Sequence, residues 1–151
     1  MTIEKPSPRF IIGSRHAGLT LLTSIKGYSS VLQKNVIGEI SDTHRKALKV
    51  IFDCCETPWE SWITLTKLIE QNEEEKVLEI LCQVDGTGQS YLERNFINKS
   101  IETLEIAQAE SRNILKQANQ LTAEQKFYVE IIDNNCRREI DVWKEIAEFF
   151  S

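Results

Sequence analysis

Little in this chain would interrupt a helix. Among 151 residues there are only six glycines and three prolines, and the prolines are confined to Pro6, Pro8 and Pro58. Loop-rich sandwiches and barrels need far more of both residue types. Of four cysteines, Cys54 and Cys55 are adjacent while Cys82 and Cys136 stand apart. Neither a C-x-x-C pair nor a paired metal knuckle can be drawn, and reduced thiols packed as small apolar residues are expected. No stretch approaches the ~20 consecutive apolar residues of a spanning helix. Met1 to Pro8 lacks the cationic, apolar, small-residue order of a secretory signal, so a cytoplasmic protein is expected. The formal net charge is −5 and the lysines and arginines are scattered, which argues against nucleic acid or an anionic membrane surface as partner.

What remains is helical periodicity. After the polar lead of Met1 to Arg9, Phe10 to Lys34 reads as one long helix with the seam Leu21, Ile25, Tyr28 and Leu32, spaced four, three and four. Gly38 ends that segment, and Ser41-Asp42 offers an N-cap for a second helix reaching about Gln71. Its seam is Leu48, Ile51, Cys55, Trp59, Trp62, Leu65 and Ile69. Pro58 removes a backbone donor and crowds the preceding turn, so a kink or break is expected near Thr57. Glu73 to Val84 reads as a short helix whose acidic start complements the macrodipole, and Asp85-Gly86-Thr87-Gly88 as a turn. Tyr91 to Asn119 forms a third helix, and Thr122 caps a fourth.

Laid on the second helix, the fourth matches it without a slip in register. Leu48, Ile51, Cys55, Trp59, Trp62, Leu65 and Ile69 fall on Val129, Ile132, Cys136, Ile140, Trp143, Ile146 and Phe150. The fold class expected is all-α: two antiparallel hairpins, 10–71 and 91–150, joined by 73–90 and packed as a four-helix bundle in one domain, with a duplicated hairpin as one origin. Pairing with a second copy, a homodimer, is the other route by which such a bundle could close. The three tryptophans fall on the seams, where core packing is the first explanation.

Residues Ser14 to Tyr28, SRHAGLTLLTSIKGY, resemble the phosphoacceptor helix of the dimerisation and histidine-phosphotransfer domain of sensor histidine kinases, typically S-H-E-L-R-T-P-L-T-S-I-K-G-Y. Leu22 to Tyr28 agree throughout, Thr20 agrees, and His16 falls on the family's phosphorylated histidine. Gly38 to Asp42 look like its hairpin turn, and the likeness extends over about Phe10 to Ile69. Two departures bear on chemistry. Ala17 stands where the family has the acidic residue taken to act as base on the imidazole, and Leu21 stands where it has a helix-distorting proline. The family's ATP-binding domain has no counterpart. Asp85 to Gly88 echo its glycine-rich boxes, but fewer than about seventy residues follow and they carry no strand pattern for a nucleotide fold. Self-phosphorylation from ATP also needs cationic groups and metal around the γ-phosphate, and no such constellation is present.

His16, Thr20, Thr23 and Gly27 share a helix stripe away from the seam, which predicts an exposed imidazole. The resemblance makes His16 the candidate phosphoacceptor and Arg15, Thr20, Thr23 and Lys26 the candidate partner-binding residues, although solvated helix charges are the commoner use of Arg15 and Lys26. His44 reads as a solvated surface histidine in the first turn of its helix. No cofactor and no metal are expected. Three functions compete: a regulatory protein that binds a response-regulator receiver domain or a sensor kinase without catalysis of its own; a phosphotransfer intermediate using His16; and a purely structural or oligomeric bundle.

Overall fold

The computed structural model describes residues 6–151, so the Met1 to Lys5 part of the polar lead lies outside it. Six α-helices follow one another: α1 (Arg9–Gln33), α2 (Asp42–Cys54), α3 (Glu56–Glu70), α4 (Glu74–Leu81), α5 (Asn98–Leu115) and α6 (Ala123–Phe149). Among the described residues the only β-type pairing is an isolated antiparallel bridge between Val84 and Ser90. Among the described residues no helix is long and apolar enough to cross a membrane.

The helix starts follow from capping chemistry. The Ser41 hydroxyl accepts from the His44 amide at 3.1 Å. Thr122 and Gln125 satisfy each other reciprocally as a capping box. Between α1 and α2 the chain turns through left-handed conformations at Asn35 (φ 57°) and Gly38 (φ 114°). Arg45 ties this turn by donating to the Gln33 carbonyl, the Asn35 side chain and Asp42.

Helices α2 and α3 form one long rod broken at Cys55, upstream of the break expected near Thr57. The reason is the reach of proline: Pro58 lacks the N–H that would bond to the carbonyl four residues earlier, and its ring crowds that same group at Cys54. The ladder therefore opens there and restarts with the Trp59 amide donating to the Cys55 carbonyl at 3.1 Å. The third predicted helix is likewise divided. A single π turn, Glu93–Ile97, precedes α5, and a 3-10 turn, Ala118–Gln120, follows it.

Helix α1 packs against α2, α3 and α6, and α5 packs against the same three, so α1 and α5 are diagonal. The pairs run antiparallel. Along α1 and α6, Phe10 stacks on Phe149 with centroids 4.1 Å apart, Ser24 meets Asn135, and Tyr28 meets Tyr128 edge-on. Along α3 and α5, Ser61 meets Ser100. The result is an up-down-up-down bundle with a single core shared by both hairpins.

The internal repeat has a structural counterpart in burial. Leu48, Ile51, Cys55, Trp62 and Leu65 are buried, as are their partners Val129, Ile132, Cys136, Trp143 and Ile146. A second set links α1 to α5: Gly18, Leu22, Ile25, Ser29 and Leu32 match Ser100, Leu104, Ala107, Ser111 and Ile114, all buried. The offset of this second set is one residue greater, and the π turn lies directly ahead of it. A π turn closes i→i+5 and so accommodates one added residue without ending the helix.

Candidate functional site

Helix α1 carries the candidate face. His16, Thr20, Thr23 and Gly27 are all exposed, whereas Ile11, Leu22, Ile25 and Leu32 on the other side of the helix are at most 1% exposed. The imidazole stands among short side chains: Gly13 one turn before it, Ala17 beside it and Thr20 one turn after it are all exposed. Over Gly13 and Gly27 there is open space where a side chain would sit. The Thr23 hydroxyl donates back to the Leu19 carbonyl at 2.8 Å, which leaves its lone pairs as the groups it offers outward.

The two candidate cations are placed differently. Arg15 leans toward the end of α3, with Nη1 3.9 Å from Glu70 Oε1. The Lys26 ammonium lies over the Phe52 ring, 5.0 Å from its centroid, and 5.8 Å from that of Trp59. Lys26 thereby bridges α1 to the break between α2 and α3, where Trp59 is only half-buried despite its seam position. Thus the structure brings His16, Thr20 and Thr23 onto one outward stripe and draws Arg15 and Lys26 to its flank.

His44 is not a solvated surface residue. It is 2% exposed, its Nε2 pairs with the Gln117 side-chain oxygen at 2.8 Å, and its Nδ1 has no partner. Burial follows from α5: its C-terminal end crosses the first turn of α2, something local periodicity does not report. A shallow cleft of about 540 Å³, lined by His44, Lys46, Val50, Ile114, Lys116 and Gln117 among others, runs along the same junction. The Asp85 to Gly88 segment is a structural turn. Asp85 accepts from the Thr87 hydroxyl and amide and pairs with Arg94 at 3.1 Å. These bonds, the Thr87 hydroxyl foremost, hold its carboxyl below the usual range.

Behind the His16 face the two seam tryptophans expected in the core, Trp62 and Trp143, meet a buried carboxyl that the sequence reading missed, Glu139. Trp62 of α3 and Trp143 of α6 stack across the bundle diagonal with centroids 4.2 Å apart and planes 29° from parallel. Both indole N–H groups donate to one oxygen, Oε1 of Glu139, at 2.9 Å and 3.2 Å. Glu139 is 0% exposed, and its second oxygen has no partner. Burial pushes its carboxyl up to about 8, against which the two indole bonds pull down. Burial likewise drives the nearby Cys55 thiol up to about 12, and that of Cys136 upward. Gly18 supplies the space on the α1 side: a methyl group there would overlap Trp62 Cε2, Cζ2 and Nε1. One signal for Glu139 was legible, a carboxylate on the seam itself, spaced four, three, four and three with Ile132, Cys136, Trp143 and Ile146.

Among the described residues no group of three or more metal-ligating side chains is assembled. Compared with known proteins, the chain matches no family model, no curated protein and no solved structure.

Proposed function

We propose that this protein is a regulatory or signalling bundle of two-component type, acting by contact between the outward stripe of α1 and a response-regulator receiver domain or a sensor kinase. The observation that carries the reading is the setting of His16. The helix whose sequence resembles the phosphoacceptor segment presents that imidazole outward over short side chains, while the core closes on the other side of the helix. Short neighbours let a partner surface approach the helix closely, and two exposed glycines in mid-helix give up about 0.5–1 kcal/mol each relative to alanine. Neither Gly13 nor Gly27 accommodates a neighbour among the described residues. With Ala17 beside His16 in place of an acidic base, the proposed role is to bind, not to phosphorylate itself.

The test is titration of the purified chain with receiver domains and sensor-kinase hairpins of its source organism. Binding that is lost on His16→Glu or Thr20→Arg is expected; no binding to any of them would refute the reading.

The same exposed imidazole favours one second reading, a phosphotransfer intermediate that accepts a phosphoryl group from a partner's aspartyl phosphate. The imidazole nitrogen would attack phosphorus as the bond to the aspartyl oxygen breaks and the carboxylate leaves; with Ala17 in place, the group that takes the ring proton and the cations around the transferring group would both be the partner's. Acid-labile, alkali-stable phosphate on the wild-type chain but not on His16→Gln, after incubation with a phosphorylated receiver, is the expected sign.

A further inference from the structure

We propose that Glu139 is a proton-controlled latch beneath the His16 face: neutral, it holds Trp62 and Trp143 as one layer against Gly18 of α1; ionised, it releases Trp62 and lets α1 shift. The geometry has three parts. One oxygen serves both indoles, at 2.9 Å and 3.2 Å, so the carboxyl joins α3 to α6. The other oxygen is buried without a donor; a negative charge there has no third hydrogen bond to stabilise it and draws in water or swings out. Trp62 in turn lies directly on the backbone of Gly18, two residues from His16 on the same helix, so displacement of the indole bears on α1.

The surroundings supply no other control. Glu139 forms no ion pair among the described residues; the six that occur there all join other side chains. The ionisable groups that share its field are Cys55, at the α2–α3 break, and Cys136, one turn earlier on α6. Lys26 from α1 and Asp133 from α6 act on those thiols, while the carboxyl itself answers to burial and the two indoles alone. Neither Gly18 of α1 nor the serines of the α3–α5 contact, Ser61 and Ser100, can carry a charge. The repeat adds an asymmetry: the position four residues before Trp143 is Glu139, whereas that before Trp62 is Pro58, so a single carboxyl governs the whole layer.

The latch would regulate the face read above as partner-binding and rests on that reading for its use, but its test needs no partner. Tryptophan emission and the backbone resonances of Gly18 are followed from pH 6 to 9.5 in the wild-type full chain and in Glu139→Gln, which keeps shape and a carbonyl acceptor. The expected result is a red shift of emission with a midpoint near 8, a Gly18 response with that same midpoint, and neither in the variant. Superimposable curves for the two proteins overturn the proposal. A transition in emission without any Gly18 response overturns it as well, because the link to α1 would be missing. Should Glu139→Gln fold poorly, Trp143→Phe serves instead: without one of the two indole bonds that hold the closed layer, release should come at lower pH, and an unmoved or raised midpoint counts against the latch.

Discussion

Gly18 and Gly27 lie on the same helix, yet a methyl group would have opposite effects at the two. At Gly18 it would collide with the indole of a buried tryptophan; at Gly27 it would meet nothing. The first glycine is explained by packing inside the chain, and the second has no internal explanation. This contrast separates the two regions of α1. Its inner side is fixed by a crowded layer of Trp62, Trp143 and Glu139, where volume and charge both matter, while its outer side is held only by the helix itself and is free to meet another molecule.

The strongest way to break the contrast is to empty the inner layer. Trp62→Ala or Trp143→Ala removes one ring of the stacked pair and one donor to Glu139, and should cost about 3–5 kcal/mol of stability, read as a lower midpoint in chemical denaturation. A loss no larger than that of a surface substitution would show that the layer is not the centre of the core.

The charge in the layer gives the next largest effect. Glu139 in the folded chain titrates near 8, above its ordinary value of 4.5, so the folded state binds the extra proton across that window. Stability is fully present below pH ~4.5 and falls as pH rises toward 8, by about 1.4 kcal/mol per pH unit at most. Denaturation midpoints measured from pH 5.5 to 8.5 should decline for the wild type and flatten for Glu139→Gln. A wild-type stability that rises over this range would contradict the sign.

Gly18→Ala follows, with an expected loss of about 1–3 kcal/mol as the indole is pushed out of place. The smallest effects belong to the outer side. His16→Ala should stay within about 0.5 kcal/mol, and Gly27→Ala should raise stability by about 0.5–1 kcal/mol through its better helix propensity. Thermal melts of these three variants side by side test the division directly; a strongly destabilising His16→Ala would place the imidazole in a structural role and remove the basis of the proposed docking face.

Most of the seams of the first, second and fourth predicted helices were legible because burial repeats along one strip of each rod, with Tyr28, Trp59, Ile69 and Phe150 only partly buried, and Ser41 and Thr122 were legible as caps because capping is local. Other features depend on residues far along the chain. His44 looks like a first-turn surface residue until Gln117 arrives from α5. The role of Glu139 requires Trp62, which is remote in sequence and comes from the other hairpin. The π turn at Glu93–Ile97 carries no glycine or proline to mark it; only the change of offset between the paired burial patterns explains it. For the candidate face, the outward position of His16, Thr20 and Thr23 follows from helical spacing, whereas the engagement of Lys26 with Phe52 and Trp59 depends on how α1 crosses the break after α2.

At the end of the bundle where the hairpins turn, the third residue of each second helix reaches into the opposite hairpin. His44 pairs with Gln117 beyond α5, and Gln125 donates to the Glu39 carbonyl before α2 at 2.9 Å. Neither hairpin can therefore be lifted away without breaking hydrogen bonds to the other. The amides of α2 and α6 should then exchange with solvent hydrogen as one cooperative unit, opening together at a single free energy and not hairpin by hairpin.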